Sequence, residues 1–525
     1  MKSADQKRVL VEVVQRVLQE KTRDPGSVEA LIFDTLYEER RRLETEKDRK
    51  KAAVESKFYR KLQSRALRGG AEQQREVLAE ILRHFAEEVL GHFSETIYRI
   101  ATQIVPFGLN LLLNTLSPLR LLTHFPNGVG KLDDQILLEG HKEDFQKLAA
   151  LGTTILVPTH CSNLDSLLIG YVLHRLGLPP FLYGAGLNLF HNRLIGFFMD
   201  HLGAYKVDRR KKAPLYKDVL KAYAGFSMEL GYHNLFFPGG TRSRSGEVER
   251  RLKLGLMGMG LDAYIHNLKN GKANPDIFIV PCTLNYQLVL EAETLIEDYL
   301  REVGRSRYII EDDEFSQIKR IIEFLEGLFS LESRIHVVFS QPLDVFGNPV
   351  DGEGRSLDRR GREVDRRKYV TQDGEIRFDP QRDQEYTLEL GESILRSFRR
   401  DTVIGSVQVV SHVVWAWLRS GNPGIDLYRL IRTGGGQASL PLTEAYRRLQ
   451  AALKFLRGME KRDSLRLDKT PQESDPVAVL SEALDHLKSY HKHPVLERKG
   501  DRLFHFDRQL IYYYQNRLSF VEMPS

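Results

Sequence analysis

The chain has 525 residues, 42% hydrophobic and 28% charged, enough apolar material for a sizeable core and too much for a disordered tail. Its 77 basic and 71 acidic side chains leave a net charge of +6, and the pI of about 9.0 favours an anionic partner, either a phosphorylated substrate or an anionic lipid surface; it makes no case for nucleic acid. Two cysteines, Cys161 and Cys282, are too few for a disulfide framework and lack the paired spacing of a zinc site, so a reducing compartment is expected and no metal is implied.

Residues 1–124 read as a helical N-terminal region. Val9, Leu10, Val13, Val14 and Val17 recur at three- and four-residue spacing, which predicts an amphipathic helix. The opening residues run straight into charged helical sequence without the apolar core of a signal peptide, and this suggests a cytosolic face. Between 38 and 51 lie seven basic and five acidic residues, read as a solvated helix face laced with i,i+4 pairs. The leucine-rich stretch at 104–122 is broken by Pro106 and Pro118, so it is too interrupted to span a bilayer. It could lie in the membrane interface or cap the core.

From 125 to 346 the pattern changes to strands alternating with helices. Apolar β-rich runs occur at 153–158, 234–238, 276–281 and 335–339, three of them ending at prolines, with a helical face between Ser166 and Leu176. The fold class this predicts is α/β, a mixed sheet covered by helices, in which strand-end loops hold the chemistry. Residues 347–383 form a charged insertion, with seven basic and five acidic residues from 351 to 368, expected to be a mobile loop. From 384 to 525 the chain reads as a helical C-terminal region, in which 403–418 forms a buried helix and Gly434, Gly435 and Gly436 mark a turn.

The most informative segment is Val157-Pro158-Thr159-His160-Cys161-Ser162-Asn163-Leu164-Asp165. A strand delivers His160 to its end, and Asp165 sits where a helix begins. If the carboxylate folds back onto one ring nitrogen, it fixes the tautomer and leaves the other nitrogen to take a proton from an alcohol. Taken alone, the pair could equally be a helix cap and a loop histidine. Two further segments add cations. Lys206, Arg209, Arg210, Lys211 and Lys212 fall within seven residues, and Pro238-Gly239-Gly240-Thr241-Arg242-Ser243-Arg244 joins a strand to a glycine turn. Guanidinium groups, hydroxyls and open backbone N–H groups suit a phosphate monoester.

These stretches, in this order, resemble the glycerolipid acyltransferases with an H-x4-D motif. His160 and Asp165 match the first block, Gly203 and Arg209 the second, Pro238, Gly240, Thr241, Arg242 and Ser243 the third, and Val280 and Pro281 the fourth, with Tyr286 beyond. The length and helical flanks look like the larger glycerol-3-phosphate acyltransferases. The resemblance implies a fatty acyl thioester donor, acyl-CoA or acyl-carrier protein, with no other cofactor, and glycerol 3-phosphate as acceptor. It implies that His160 and Asp165 are catalytic and that Arg209, Gly240, Thr241, Arg242 and Ser243 hold the acceptor, with Lys206 and Arg244 as further candidates. It also implies a peripheral or monotopic protein at the cytoplasmic face of a membrane. One position departs from the pattern: the third block normally carries Glu after the proline, and here it is Gly239. That departure leaves open 1-acylglycerol 3-phosphate or dihydroxyacetone phosphate as acceptor, or a catalytically impaired lipid-binding scaffold. A covalent route through Cys161 is conceivable but disfavoured, because neighbouring side chains diverge.

Overall fold

The computed structural model describes residues 1, 3–46, 48–91, 135–186, 203–303, 334–489, 491 and 493–523. The valine periodicity at the N-terminus becomes the buried stripe of α1 (Ser3–Lys21), where Val9, Val13, Val14 and Val17 all leave solvent. Three more helices follow, α2 (Pro25–Glu44), α3 (Arg49–Arg68) and α4 (Ala71–Val89). Asp24 caps α2 by accepting the Gly26 N–H, and Asp48 caps α3 by accepting those of Lys50 and Lys51. The leucine-rich stretch at 104–122 and the boundary expected near residue 125 lie outside the described residues. Among the described residues no helix is long and apolar enough to cross a membrane.

Seven strands then form one mixed sheet: β1 (Ile136–Gly140), β2 (Thr153–Pro158), β3 (Leu182–Gly186), β4 (Ala204–Val207), β5 (Asn234–Leu235), β6 (Ile277–Tyr286) and β7 (Ile335–Phe339). Their order is β1-β7-β6-β2-β5-β3-β4, parallel throughout except where β7 meets β6. Helices cover both faces, which is why every residue of β2 and β6 is buried and their sequences show no alternation. The N-terminal bundle shares a core with β3, β4 and α7 (Pro214–Glu229) through Leu182, Tyr205, Leu215, Tyr216 and Tyr223. Between these strands run α5 (Lys142–Leu151), α6 (Asp165–Arg175) and α8 (Gly258–Lys269), and α9 (Ala292–Val303) follows β6.

Several expectations are corrected. β6 does not stop at Pro281 but continues to Tyr286. Proline is tolerated there because its register needs only its carbonyl, which accepts the Ser340 N–H at 2.9 Å. β5 is only two residues long, since Phe236, Phe237 and Pro238 leave the sheet to enter a turn. The insertion at 347–383 is built of short antiparallel hairpins pairing Ser356–Leu357 with Glu363–Val364 and Thr371–Gln372 with Glu375–Ile376. Aspartates organise its turns: Asp351 accepts the N–H groups of Glu353 and Arg355, and Asp358 those of Arg360 and Arg362. The C-terminal region contains α10 (Pro380–Arg400) and α11 (Ser406–Ser420), the latter the buried helix expected at 403–418, but it is not purely helical. Three strands, Ser439–Pro441, Arg502–His505 and Leu496–Lys499, form a small antiparallel sheet within it.

The charge run at 38–51 is a solvated face only in part: Arg40, Arg41, Glu44, Asp48, Arg49, Lys50 and Lys51 are exposed, with an i,i+4 pair between Arg40 and Glu44, but three of its charges turn inward. Glu39, Arg42 and Glu46 are buried, together with Glu55 and Lys211. Arg42 pairs with Glu39 at 2.9 Å and with Glu55, and Lys211 reaches Glu39 at 3.1 Å and Glu88 at 2.7 Å. Tyr59 donates its hydroxyl to Glu39. Charges this deep persist because each has several opposite partners.

Candidate active site

β2 ends at Pro158 and α6 begins at Asp165, so the six-residue turn between them brings the two ends of the H-x4-D segment together. The His160 Nδ1 lies 2.8 Å from Asp165 Oδ2. The same oxygen accepts the backbone N–H groups of Cys161 at 2.7 Å and Ser162 at 2.9 Å, while Oδ1 accepts the Tyr286 hydroxyl at 2.6 Å. Asp165 is wholly buried with four donors around its carboxylate at the positive end of a helix, an arrangement that holds the anion. It is therefore more than a helix cap: its bonds run back to the loop that carries His160. The extension of β6 past Pro281 is what delivers Tyr286 to this carboxylate.

The His160 ring is 12% exposed and stacks on Phe237, with centroids 4.1 Å apart and planes 23° from parallel. With Nδ1 bonded to Asp165, Nε2 has no hydrogen-bond partner among the described residues. Burial lowers the His160 pKa from 6.5; Asp165 opposes this, and the cations Arg242 and Arg209 reinforce it. The ring is thus a neutral base at neutral pH. Cys161 is a different case. Its thiol is buried, its backbone N–H is committed to Asp165, and burial pushes its pKa to about 12, which disfavours a thiolate nucleophile.

The turn after β5 folds against this loop. Phe237 accepts the Gly240 N–H at 3.0 Å across Pro238 and Gly239, a tight turn with proline at its second position. Gly240 has φ +73°, a conformation that favours glycine, and the flexible end of the Lys253 side chain lies over it. Ser243 N–H donates to the His160 carbonyl at 2.8 Å, and its hydroxyl donates to the Glu247 carbonyl at 2.7 Å. Thr241 and Arg242 are half-buried beside it. Arg242 lies 3.3 Å from Glu291, the residue before α9, whose carboxylate also accepts the Ser162 hydroxyl and the Asn163 N–H. Glu291 thereby ties Arg242 to the His160 loop.

The cationic run at 206–212 divides. Arg209 is exposed as a residue, yet desolvation of its guanidinium, with repulsion from Arg242 and Arg244, lowers its pKa. Lys206 is half-buried at the end of β4. Arg210 instead pairs with Asp208 and Glu46 at 3.0 Å, and Lys211 enters the buried network of the N-terminal bundle. Arg244 forms an ion pair with Glu302 at 2.5 Å.

Three residues here escaped the sequence reading. Glu249 accepts the His160 N–H at 2.9 Å. Glu291 is described above. Arg517, from the C-terminal region, places its guanidinium 3.2 Å from the Leu284 carbonyl and 3.8 Å from the Cys161 sulfur. Arg517, Tyr513 and Tyr514 line a small cavity with Cys161, Leu284 and Tyr286. No local motif marks these positions: Glu249 lies on the segment that follows the glycine turn, and Glu291 and Arg517 come from distant parts of the chain. Among the described residues no cluster suited to a metal ion occurs.

Residues 141–285 match the acyltransferase family model, and the matched stretch contains the His160–Asp165 pair and both arginine segments. The chain is 33% identical over 205 residues to a protein of Actinobacillus succinogenes named glycerol-3-phosphate acyltransferase, a match covering 39% of this chain and 23% of that relative. A protein of the same name from Aeromonas hydrophila is 33% identical over 203 residues, 38% of this chain and 23% of the relative. One from Pseudomonas entomophila is 27% identical over 272 residues, 52% of this chain and 29% of the relative. The matched stretch spans about a quarter of the length of these curated relatives.

Proposed function

We propose that the chain transfers a fatty acyl group from acyl-CoA or acyl-carrier protein to the sn-1 hydroxyl of glycerol 3-phosphate, giving 1-acylglycerol 3-phosphate for phospholipid synthesis. The observation that carries the reading is the loop cluster in which His160, bonded to the buried Asp165, is joined through the Ser243 N–H to the turn that carries Arg242. The names of the similar proteins support glycerol 3-phosphate as the acceptor.

In this mechanism Arg209 and Arg242 hold the phosphate, with Lys206 and the Gly240–Ser243 turn around it, and this fixes which hydroxyl meets His160. Nε2 of His160 takes the hydroxyl proton as the oxygen attacks the thioester carbonyl, while Asp165 stabilises the imidazolium that forms. When the tetrahedral intermediate collapses, the carbon–sulfur bond breaks and the thiolate receives the proton back. No acyl-enzyme forms, and no cofactor beyond the thioester co-substrate is used. Because acyl chains and products partition into bilayers, the protein works at the cytoplasmic face of a membrane as a peripheral or monotopic protein, with anionic lipid and the 104–122 stretch as the contacts.

The test is an assay offering labelled acyl-CoA or acyl-carrier protein with glycerol 3-phosphate, 1-acylglycerol 3-phosphate or dihydroxyacetone phosphate. Turnover with glycerol 3-phosphate at least tenfold above the other two is expected. Preference for either of the others would overturn the acceptor assignment, and inertness towards all three would overturn the enzymatic reading. Extraction of membranes with carbonate tests attachment: release into the supernatant is expected, and retention in the pellet would contradict a peripheral contact.

A further inference from the structure

Gly239 stands where the resembling family carries glutamate, yet a carboxylate is present in that place. An ideal Cβ on Gly239 would lie 3.3 Å from Glu249 Cγ and 3.7 Å from Glu249 Oε1. A side chain at position 239 would therefore enter the space that Glu249 fills from ten residues further along. The chain returns over the turn at this point: Lys253 N–H donates to the Pro238 carbonyl at 2.7 Å, and buried Val248 anchors the segment in the core. Oε1 of Glu249 accepts the His160 N–H at 2.9 Å, while Oε2 is enclosed and has no hydrogen-bond partner among the described residues. Glu249 is half-buried, but an enclosed carboxyl oxygen without a partner costs free energy, so its placement one hydrogen bond from the His160 backbone calls for a role.

We infer that Glu249 is a positioning residue that takes over, from the returning segment, the place of the glutamate missing at position 239, and that it holds the His160 loop in register with Asp165 through the His160 N–H. Burial raises the Glu249 carboxyl above its ordinary range, opposed by the His160 N–H and by Arg517, consistent with a carboxylate embedded in the site. Its neighbour on the same segment, Lys253, covers Gly240, so the glycine pair is roofed by the side chains of Glu249 and Lys253. The inference rests on the reading of His160 as the base.

The test compares the wild type with Glu249→Ala, Glu249→Gln, Gly239→Glu and the double variant Gly239→Glu with Glu249→Gly, measuring kcat, the acceptor KM and the thermal midpoint. Glu249→Ala is expected to lower kcat on the order of tenfold, the effect of losing one hydrogen bond that leaves the His160 N–H unpaired, with the acceptor KM changed far less. Glu249→Gln keeps an acceptor oxygen for the His160 N–H and should recover most of the loss. Gly239→Glu alone crowds two carboxylates into one space and should lower both kcat and the midpoint, whereas the double variant should restore both. A wild-type kcat in Glu249→Ala, or a double variant no better than Gly239→Glu, would overturn the inference. If the wild type turned over no acceptor, the function reading would fail separately, and the midpoints would still decide the placement. Recovery in the double variant would support a shared space, and additive losses would overturn it.

Discussion

Two cationic segments flank the catalytic loop, and they do different things. The run at 206–212 is the denser, with five cations in seven residues, but Lys211 is buried among Glu39 and Glu88, and Arg210 is held by Asp208 and Glu46. The turn after Pro238 has only Arg242 and Arg244, yet its backbone bonds directly to His160 and Arg242 is tied to the His160 loop by Glu291. Charge density in a sequence therefore does not locate a phosphate site. What decides is where each cation's carboxylate partner sits: Glu291 holds Arg242 at the His160 loop, whereas the partners of Arg210 and Lys211, two of the five cations in the dense run, include Glu39, Glu46 and Glu88 of the N-terminal bundle.

That contrast can be broken at either end. The largest effect is expected from Lys211→Met, which leaves Glu39 with less compensation in a buried network; a loss of about 3 kcal/mol is expected. The thermal midpoint should fall while the acceptor KM of the folded protein stays unchanged, and a changed KM with unchanged stability would reverse the roles assigned to the two segments. Arg242→Ala should do the opposite, raising the acceptor KM on the order of tenfold or more, as loss of a charged hydrogen bond to phosphate predicts, in steady-state kinetics. The pH dependence of kcat/KM sharpens the picture of the base. Because burial lowers the His160 pKa, the neutral form persists below pH 6.5, so activity should fall only as the pH drops through a midpoint under that value. A midpoint above 6.5 would contradict the account. Arg244→Ala should matter least, since its pair with Glu302 is partly exposed and Glu302 itself is 63% accessible; a stability change below about 1 kcal/mol is expected by thermal unfolding.

The parts of the fold that the sequence made legible are those with a local signature. The valine spacing of α1, the β-branched and apolar run of β2 and the H-x4-D segment each carry their periodicity or chemistry within a few residues. The continuation of β6 through Pro281 was not legible, because only the register against β2 and β7 shows that the missing N–H is not needed. Nor was the burial of Glu39 and Arg42, whose partners Glu55 and Lys211 come from a neighbouring helix and from a loop more than 150 residues away. The hairpins within 347–383 follow from Asp-anchored turns that polarity alone obscures. In the site, His160 and Asp165 declare themselves by spacing, whereas Glu249, Glu291 and Arg517 have no motif and reach the loop only through the tertiary fold.

The central claim is that His160, aligned by Asp165, is the base for direct transfer from the thioester. It is tested most directly by measuring acyl transfer to glycerol 3-phosphate with purified wild type and His160→Ala, together with acceptor binding by calorimetry. The account predicts a loss of about 10²- to 10⁴-fold in kcat with the acceptor bound as tightly as before. Transfer at the wild-type rate by His160→Ala would contradict it.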